Sequence, residues 1–381
     1  MDPEIRHLIE AIHGAGTKAA LAMTGGGASA AGFLLNVPGG SRTVLEVRIP
    51  YGAQTLAEYL GHHPEQSCSV EVAREMATRA HERAGWLAPG ERVVGVGCTA
   101  SLVSDRPKRG DHRFHIATRS SDKLVSYSLI LQKGVRDREA EEGVLDRVLL
   151  NALATSVGLN EELLLALSPS EEITVESVAP SDLVQAVVEG KQPFVCVEPD
   201  GRLEAEAPPP QLLVSGAFNP LHEGHRGLAL AAERLTGHPA AFELCIINVD
   251  KAPLTAEEVR RRLQQFQWRS TVWVTRAPTF AEKAGLFEKT TFVVGADTAA
   301  RILSPRYYDD GQAGLTRALG LIRARGCRFV VAGRAYQGEP FLEIGHLPVP
   351  DASANLFVGI PEAMFRREIS STALRAERNH G

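Results

Sequence analysis

Apolar positions fall into two long patterned stretches separated by a poorer one. In the first, 18–158, strand-like runs at 43–49, 92–95 and 125–131 alternate with helical patterns at 70–83 and 140–157. The earlier helix places Val72, Met76, Ala77 and Ala80 on one face. From residue 211 onward the alternation is cleaner. Short β-branched or aromatic runs at 212–214, 242–249, 271–274, 292–294, 329–331 and 356–358 are mostly separated by helical patterns at 224–235, 256–266, 298–303 and 315–324. Such alternation predicts an α/β protein whose C-terminal part is a Rossmann-like, doubly wound parallel sheet. The stretch between mixes acidic residues with two strand-like runs, 173–178 and 194–197, and ends in Pro208-Pro209-Pro210, a stiff connector. The predicted division is therefore an α/β domain over 1–159, a connecting segment over 160–210 and a second α/β domain over 211–381.

Composition narrows the function classes. The 381 residues are 44% hydrophobic and 23% charged, enough for two domains to bury real cores without disulfides. A formal net charge of −5 offers no cationic field for nucleic acid or an anionic membrane. No apolar run reaches the ~20 residues that span a bilayer. Asp2, Glu4, Arg6 and Glu10 do not fit the basic start of a signal peptide, so a cytoplasmic protein is expected. The five cysteines, Cys68, Cys98, Cys196, Cys245 and Cys327, include no CxxC pair, which argues against a zinc ribbon or a disulfide framework.

The richest run is Leu212-Leu213-Val214-Ser215-Gly216-Ala217-Phe218-Asn219-Pro220-Leu221-His222-Glu223-Gly224-His225. A buried strand ends at Gly216, a turn passes through Asn219-Pro220, and a helix begins near Gly224. Ligands bind at the carboxyl ends of parallel strands, and helix N-termini favour phosphate. Gly216 and Gly224 would let backbone approach a nucleotide where a Cβ would clash. His222 and His225, three apart, share a face if the helix begins here, and two imidazoles there can donate to a negatively charged transition state. No third ligand with recognisable spacing makes them a metal site.

This run resembles the HxGH nucleotidyltransferase superfamily: a glycine-rich strand end, Phe-Asn-Pro, then His-x-Gly-His. A second signature of that superfamily appears in the same order as Ile369-Ser370-Ser371-Thr372-Ala373-Leu374-Arg375, a hydroxyl-capped helix start with an arginine one turn in. Over 212–375 the chain looks most similar to nicotinamide or nicotinate mononucleotide adenylyltransferases. The resemblance extends to Asn248-Val249-Asp250-Lys251 with the basic stretch 260–262, to Val294-Gly295-Ala296-Asp297, and to Val330–Arg334. It implies transfer of AMP from ATP to a pyridine mononucleotide, with pyrophosphate leaving. His222, His225, Lys251 and Arg375 would be catalytic. Gly216, Ala217, Phe218, Asn219, Gly224, Gly295, Asp297, Arg334, Ser370, Ser371 and Thr372 would bind nucleotide, and Mg²⁺ would arrive with ATP. Asp297 could hold sugar hydroxyls, cap the helix at 298–303, or do both. Trp268 and Trp273 are candidates for stacking on a pyridine ring or for core packing. Phosphopantetheine or a phospho-alcohol as acceptor, CTP as donor, a catalytically weak pyridine-nucleotide sensor and homo-oligomerisation all remain open.

In the first half, Thr24-Gly25-Gly26-Gly27-Ala28-Ser29 follows a strand-like 19–22 and precedes a helical 30–35. With Val37–Ser41, Pro50-Tyr51, Ser69–Met76 and Val94–Lys108, it resembles the C-terminal domain of CinA-type proteins, the nicotinamide mononucleotide deamidases. That family's Glu-Ser-Cys-Thr-Gly-Gly falls on Met23-Thr24-Gly25-Gly26-Gly27-Ala28, so its glutamate and nucleophilic serine are replaced. A degenerate amidase site is expected, with Thr24, Gly25, Gly26, Gly27, Tyr51 and Lys108 lining a pocket whose glycine turn could still cradle a phosphate. Residues 105–113, with Lys108 and Arg109, read as a cationic loop, solvated or anion-binding. Gly95-Val96-Gly97-Cys98-Thr99-Ala100 fits GxGxxA but lacks the following helix a dinucleotide site needs.

Overall fold

The computed structural model describes residues 1–106, 108–247, 252–266, 269–333 and 342–365. The chain forms two compact units, Met1–Ser181 and Asp182–Gly381. The first runs α1 (Pro3–Gly14), β1 (Lys18–Thr24), α2 (Ala28–Asn36), β2 (Val44–Arg48), α3 (Ala53–Leu60), α4 (Val70–Leu87), β3 (Val93–Ser101), β4 (His112–Arg119), β5 (Leu124–Leu131), α5 (Arg138–Ser156) and β6 (Thr174–Val178). Its six-stranded sheet has the order β2-β1-β3-β4-β5-β6. β1 runs parallel to both its neighbours, and the β3-β4-β5-β6 pairs are antiparallel.

β1 shows no polar alternation because both its faces are covered. Ala19, Leu21 and Met23 join a core built with α1, α2 and α5, while Ala20 packs with Ala80 and Ala84, and Ala22 with Leu56, Leu60 and Met76. Ser69 caps α4 by accepting from the Val72 N–H at 3.2 Å. This helix lies directly on β3. A Cβ on Gly95 would stand 2.1 Å from the Ala77 carbonyl oxygen, and one on Gly97 would stand 2.2 Å from that of Ala73. The GxG at 95–97 is thus strand interior, there to admit a helix. β4 begins at His112, so the end of the expected cationic loop is strand.

The second unit runs α6 (Leu183–Val188), β7 (Phe194–Val197), β8 (Leu203–Glu204), β9 (Leu212–Ser215), α7 (Glu223–Thr236), β10 (Ala240–Cys245), α8 (Ala256–Leu263), β11 (Val272–Thr275), α9 (Phe280–Leu286), β12 (Thr291–Gly295), α10 (Ala296–Ile302), α11 (Gly311–Ala324), β13 (Arg328–Ala332) and β14 (Phe357–Ile360). Its eight strands lie in the order β14-β13-β12-β9-β10-β11-β7-β8. The six from β14 to β11 are mutually parallel. β7 and β8 extend the edge in antiparallel pairing, so the sheet is mixed rather than purely parallel. Leu213, Ala241, Trp273, Phe292, Val294 and Phe329 pack on one face with residues of α9, α10 and α11. Segment 160–210 is shared out: Leu163 joins the first core and β6 the first sheet, while β7 and β8 join the second. Among the described residues, no helix is long and apolar enough to cross a membrane.

Candidate functional site

β9 is the strand at which the second sheet changes direction. The chain steps outward from β9 to β10 and β11, then returns to place β12 on the other side of β9. Two adjacent parallel strands therefore send their following segments different ways, and a crevice opens at their carboxyl ends. Residues 216–225 leave β9 there and Gly295–Asp297 leave β12 there, although some 70 positions separate them in sequence.

The turn after β9 is held from within and from α8. Phe218 adopts φ 44°, a left-handed conformation that costs a non-glycine residue roughly 1–2 kcal/mol. Its fully buried ring offsets this by packing edge-on against Phe242, Phe266 and His225, with centroids 5.5, 5.1 and 5.0 Å away. The missing Cβ of Gly216 makes room for that ring: an added Cβ would lie 2.7 Å from Phe218 Cε1. Arg262 donates to the Ala217 carbonyl at 2.9 Å, and Arg261 to Asn219 Oδ1 at 3.0 Å. Gln265 donates to the Phe218 carbonyl at 2.9 Å and accepts from the Leu221 N–H at 2.7 Å. Both arginines also grip Glu258, whose carboxyl their hydrogen bonds hold down to about 2 against the opposing effect of desolvation. Gln265 carried no recognisable signal in the sequence, because its partners in the turn, Phe218 and Leu221, are more than forty residues away.

His222 is the N-cap of α7 and His225 its third residue. Their rings stack at 3.8 Å between centroids and 24° between planes. The His222 N–H donates to His225 Nδ1 at 3.3 Å, which assigns the proton of a neutral His225 to Nε2. Burial first, and then the neighbouring His222, lower the His225 pKa to about 3. His225 is thus a neutral imidazole at working pH, with Nε2–H as its donor, beside the free N–H groups of a helix start. Gly224 is buried within the first turn.

At the end of β12, Gly295 is the N-cap of α10, and a Cβ added to it would meet nothing within 4 Å. Asp297 lies inside the first helical turn, so the expectation that it caps this helix is corrected: Gly295 occupies that position. Trp273 is buried against Phe194 and Phe287, which makes it a core residue and not an accessible stacking platform. Lys251, Trp268, Arg334, Ser370, Ser371, Thr372 and Arg375 fall outside the described residues.

In the first unit, Thr24 ends β1 and is buried, and the glycine turn leads straight into α2. Gly25 and Gly27 take φ +77° and +87°, and a Cβ on Gly25 would strike the Ala100 carbonyl oxygen at 1.9 Å. The anion-favouring end of α2 already faces carboxylates of α5. Gly27 N–H donates to Glu142 Oε1 at 2.5 Å and Ala30 N–H to Asp146 Oδ1 at 3.0 Å. Arg138 bridges the Gly25 carbonyl, at 2.8 Å, to Glu142. Burial, then the charge of Glu142, push the Asp146 pKa up to about 7. Lys108 donates to the Leu102 carbonyl at 2.8 Å and to Ser101 Oγ at 3.3 Å. Nearby, His112 pairs with buried Glu141 at 2.7 Å, and Glu141 also accepts from the Val103 N–H. Tyr51 is 68% exposed in the loop after β2.

No protein-family model and no curated protein matches the chain. Among solved structures it is similar to the competence/damage inducible protein CihA from Agrobacterium tumefaciens, with 19% identity over 42% of this chain and 98% of that one and a TM-score of 0.34. A CinA superfamily protein from Escherichia coli matches with 17% identity over 41% of this chain and 92% of that one, at 0.31. The competence damage-inducible protein A (ComA) from Klebsiella pneumoniae matches with 13% identity over 41% of this chain and 99% of that one, at 0.33.

Proposed function

We propose that the second unit is a nucleotidyltransferase that moves AMP from ATP to nicotinamide or nicotinate mononucleotide. The observation that carries this reading is the placement of the His222–His225 pair. A neutral imidazole donor and the head of α7 stand at the carboxyl end of the strand where the sheet reverses direction. Counted from β9, the parallel strands have the order 3-2-1-4-5-6, that of Rossmann-like doubly wound sheets which bind nucleotides at this crevice.

A phosphate oxygen of the acceptor attacks the α-phosphorus of ATP, the bond to the bridging oxygen breaks, and pyrophosphate leaves. The acceptor is already an anion, so the reaction needs positioning and charge stabilisation more than a strong base. His225 Nε2–H donates to the charge that builds on the transferring group. The Gly216–Leu221 turn, clamped by Arg261, Arg262 and Gln265, keeps the head of α7 in register with β9. Lys251 and Arg375 are assigned to the phosphates by their sequence context. The donors at this helix start are imidazoles and N–H groups, which suit phosphate oxygens and fit a metal carried in on the triphosphate. When bound with ATP, Mg²⁺ supplies positive charge against those oxygens.

For the first unit we propose a CinA-like domain without amidase turnover. Threonine replaces the family serine at position 24, methionine replaces its glutamate at 23, and Glu142 and Asp146 occupy N–H groups that a phosphate would use. Thermal-shift titration of the whole protein with ATP, CTP, both mononucleotides and phosphopantetheine tests the substrates assigned to the second unit, since a ligand raises stability according to its affinity, and ammonia release from nicotinamide mononucleotide, expected to be absent, tests the first. Stabilisation by ATP and a mononucleotide is expected. Stabilisation by CTP or phosphopantetheine alone would reassign the substrates.

A further inference from the structure

β2 closes one side of the first sheet. It pairs with β1 alone, and among the described residues no strand lies on its outer side. An open edge offers a row of backbone donors and acceptors to another chain, and natural edges are commonly guarded by proline, by lysine or by a bulge. β2 holds no proline or lysine. Its pairing with β1 is irregular only at its start, where Val44 faces Ala19 and Glu46 faces Ala20, so Glu46, Val47 and Arg48 form a regular run. The two charges on the strand, Glu46 and Arg48, have opposite signs and stand on either side of Val47. Just past Arg48 the chain exposes two large side chains, Ile49 and Tyr51. The far edge of the sheet, β6, carries the single charge of Glu176 and has no such symmetry.

We propose that β2 pairs antiparallel with the β2 of a second copy of this chain, about a two-fold axis at Val47, joining two six-stranded sheets into one. The pairing is independent of the activity of either unit. In a symmetric antiparallel pair one residue lies at the axis and faces its own copy, and residues equally far to either side face one another across the same sheet face. Charge selects the residue at the axis. Centred on Glu46 or on Arg48, the pair would set like charges directly opposite, which destabilises a sheet. Centred on Val47, each Glu46 faces the other copy's Arg48, and valine meets valine. The ion pairs within one chain allow this. Glu46 is held by Arg48 at 3.0 Å and by Arg83 at 2.8 Å, yet the Arg48 side chain stays 37% exposed, so a second copy extends the network without breaking it. In the same register Ile49 comes over the start of the other β2.

Sedimentation equilibrium of the full-length protein at micromolar concentration should give twice the 41.1 kDa of one chain. Arg48→Glu sets carboxylates face to face at the axis and should raise the dimer dissociation constant by at least about tenfold. Ile49→Lys, at an exposed position that folding tolerates, should weaken the dimer in the same direction and keeps the test open should Arg48→Glu misfold; circular dichroism shows which variants are folded. Residues directly opposite in an antiparallel pair stand about 4.5–5.5 Å apart at Cα, within disulfide reach. Val47→Cys should therefore give a disulfide-linked dimer under mild oxidation. Arg48→Cys, whose two copies lie out of alignment, and the wild type with its five cysteines should not. A wild type with the mass of one chain, a dimer unmoved by the folded charge variants, or cross-linking through Arg48→Cys and not Val47→Cys would overturn the pairing.

Discussion

Replacing Gly216 by alanine separates two reasons for having a glycine at the head of the proposed site. If the missing Cβ keeps space for a nucleotide, ligand-free protein should not notice the change. The structure gives the space to Phe218 instead: the new Cβ would lie 2.7 Å from Cε1 and 2.8 Å from Cζ of a ring that is fully buried. That ring cannot swing aside without displacing Phe242, Phe266 or His225. Overpacking of this kind costs about 1–3 kcal/mol. For a domain of 150–250 residues each kcal/mol lowers the midpoint by roughly 2–4 °C, so a fall of about 2–12 °C is expected in ligand-free protein. Differential scanning calorimetry of the whole chain reads it directly. Phe218→Leu removes the ring atoms that the Cβ meets, so the double variant should lose less than the sum of the two single changes, with a coupling of at least about 0.5 kcal/mol. An unchanged ligand-free midpoint together with weakened ATP binding would refute the packing argument and return Gly216 to the nucleotide.

Other changes have equally definite outcomes. His225→Ala should lower turnover by about 10²–10³-fold with a much smaller change in ATP affinity, and near-normal turnover in a folded variant would remove His225 from the chemistry. Asp146 holds its proton up to about pH 7, well above the ordinary 3.8, so the folded state binds the extra proton between roughly pH 4 and 7 and stability falls as pH rises through that window. About three pKa units correspond to on the order of 4 kcal/mol; Asp146→Asn should flatten this slope in urea-unfolding curves, and parallel curves for the two proteins would contradict it. Gly97→Ala drives a Cβ to within 2.2 Å of the Ala73 carbonyl oxygen of α4, so a loss of about 3 kcal/mol in urea unfolding is expected.

The parallel strands could be read from sequence because burial on both faces leaves short, uninterrupted apolar runs. β4 was hidden: Phe114 and Ile116 do alternate with Arg113 and His115, but this pattern follows directly on a polar cluster that reads as loop. α9 is only seven residues long, too short for a helical period to stand out, although Thr279 and Glu282 form a capping box at its start. At the β9–α7 junction, the strand end, the turn and the helix start were all contained in one local run. What fixes that run was not, because Arg262 and Gln265 reach it only through the fold. The same holds for the glycine turn of β1. Gly25 to Gly27 suggest an anion cradle, whereas the groups that occupy it, Glu142 and Asp146, come from a helix more than a hundred residues later.

The most direct test of nucleotidyl transfer is a pyrophosphate-release assay on the full-length protein with ATP, Mg²⁺ and each pyridine mononucleotide, with the dinucleotide product identified by mass. Stoichiometric pyrophosphate and dinucleotide, both lost in His225→Ala, are the expected result. Folded, ATP-binding protein that releases no pyrophosphate with either mononucleotide would contradict it.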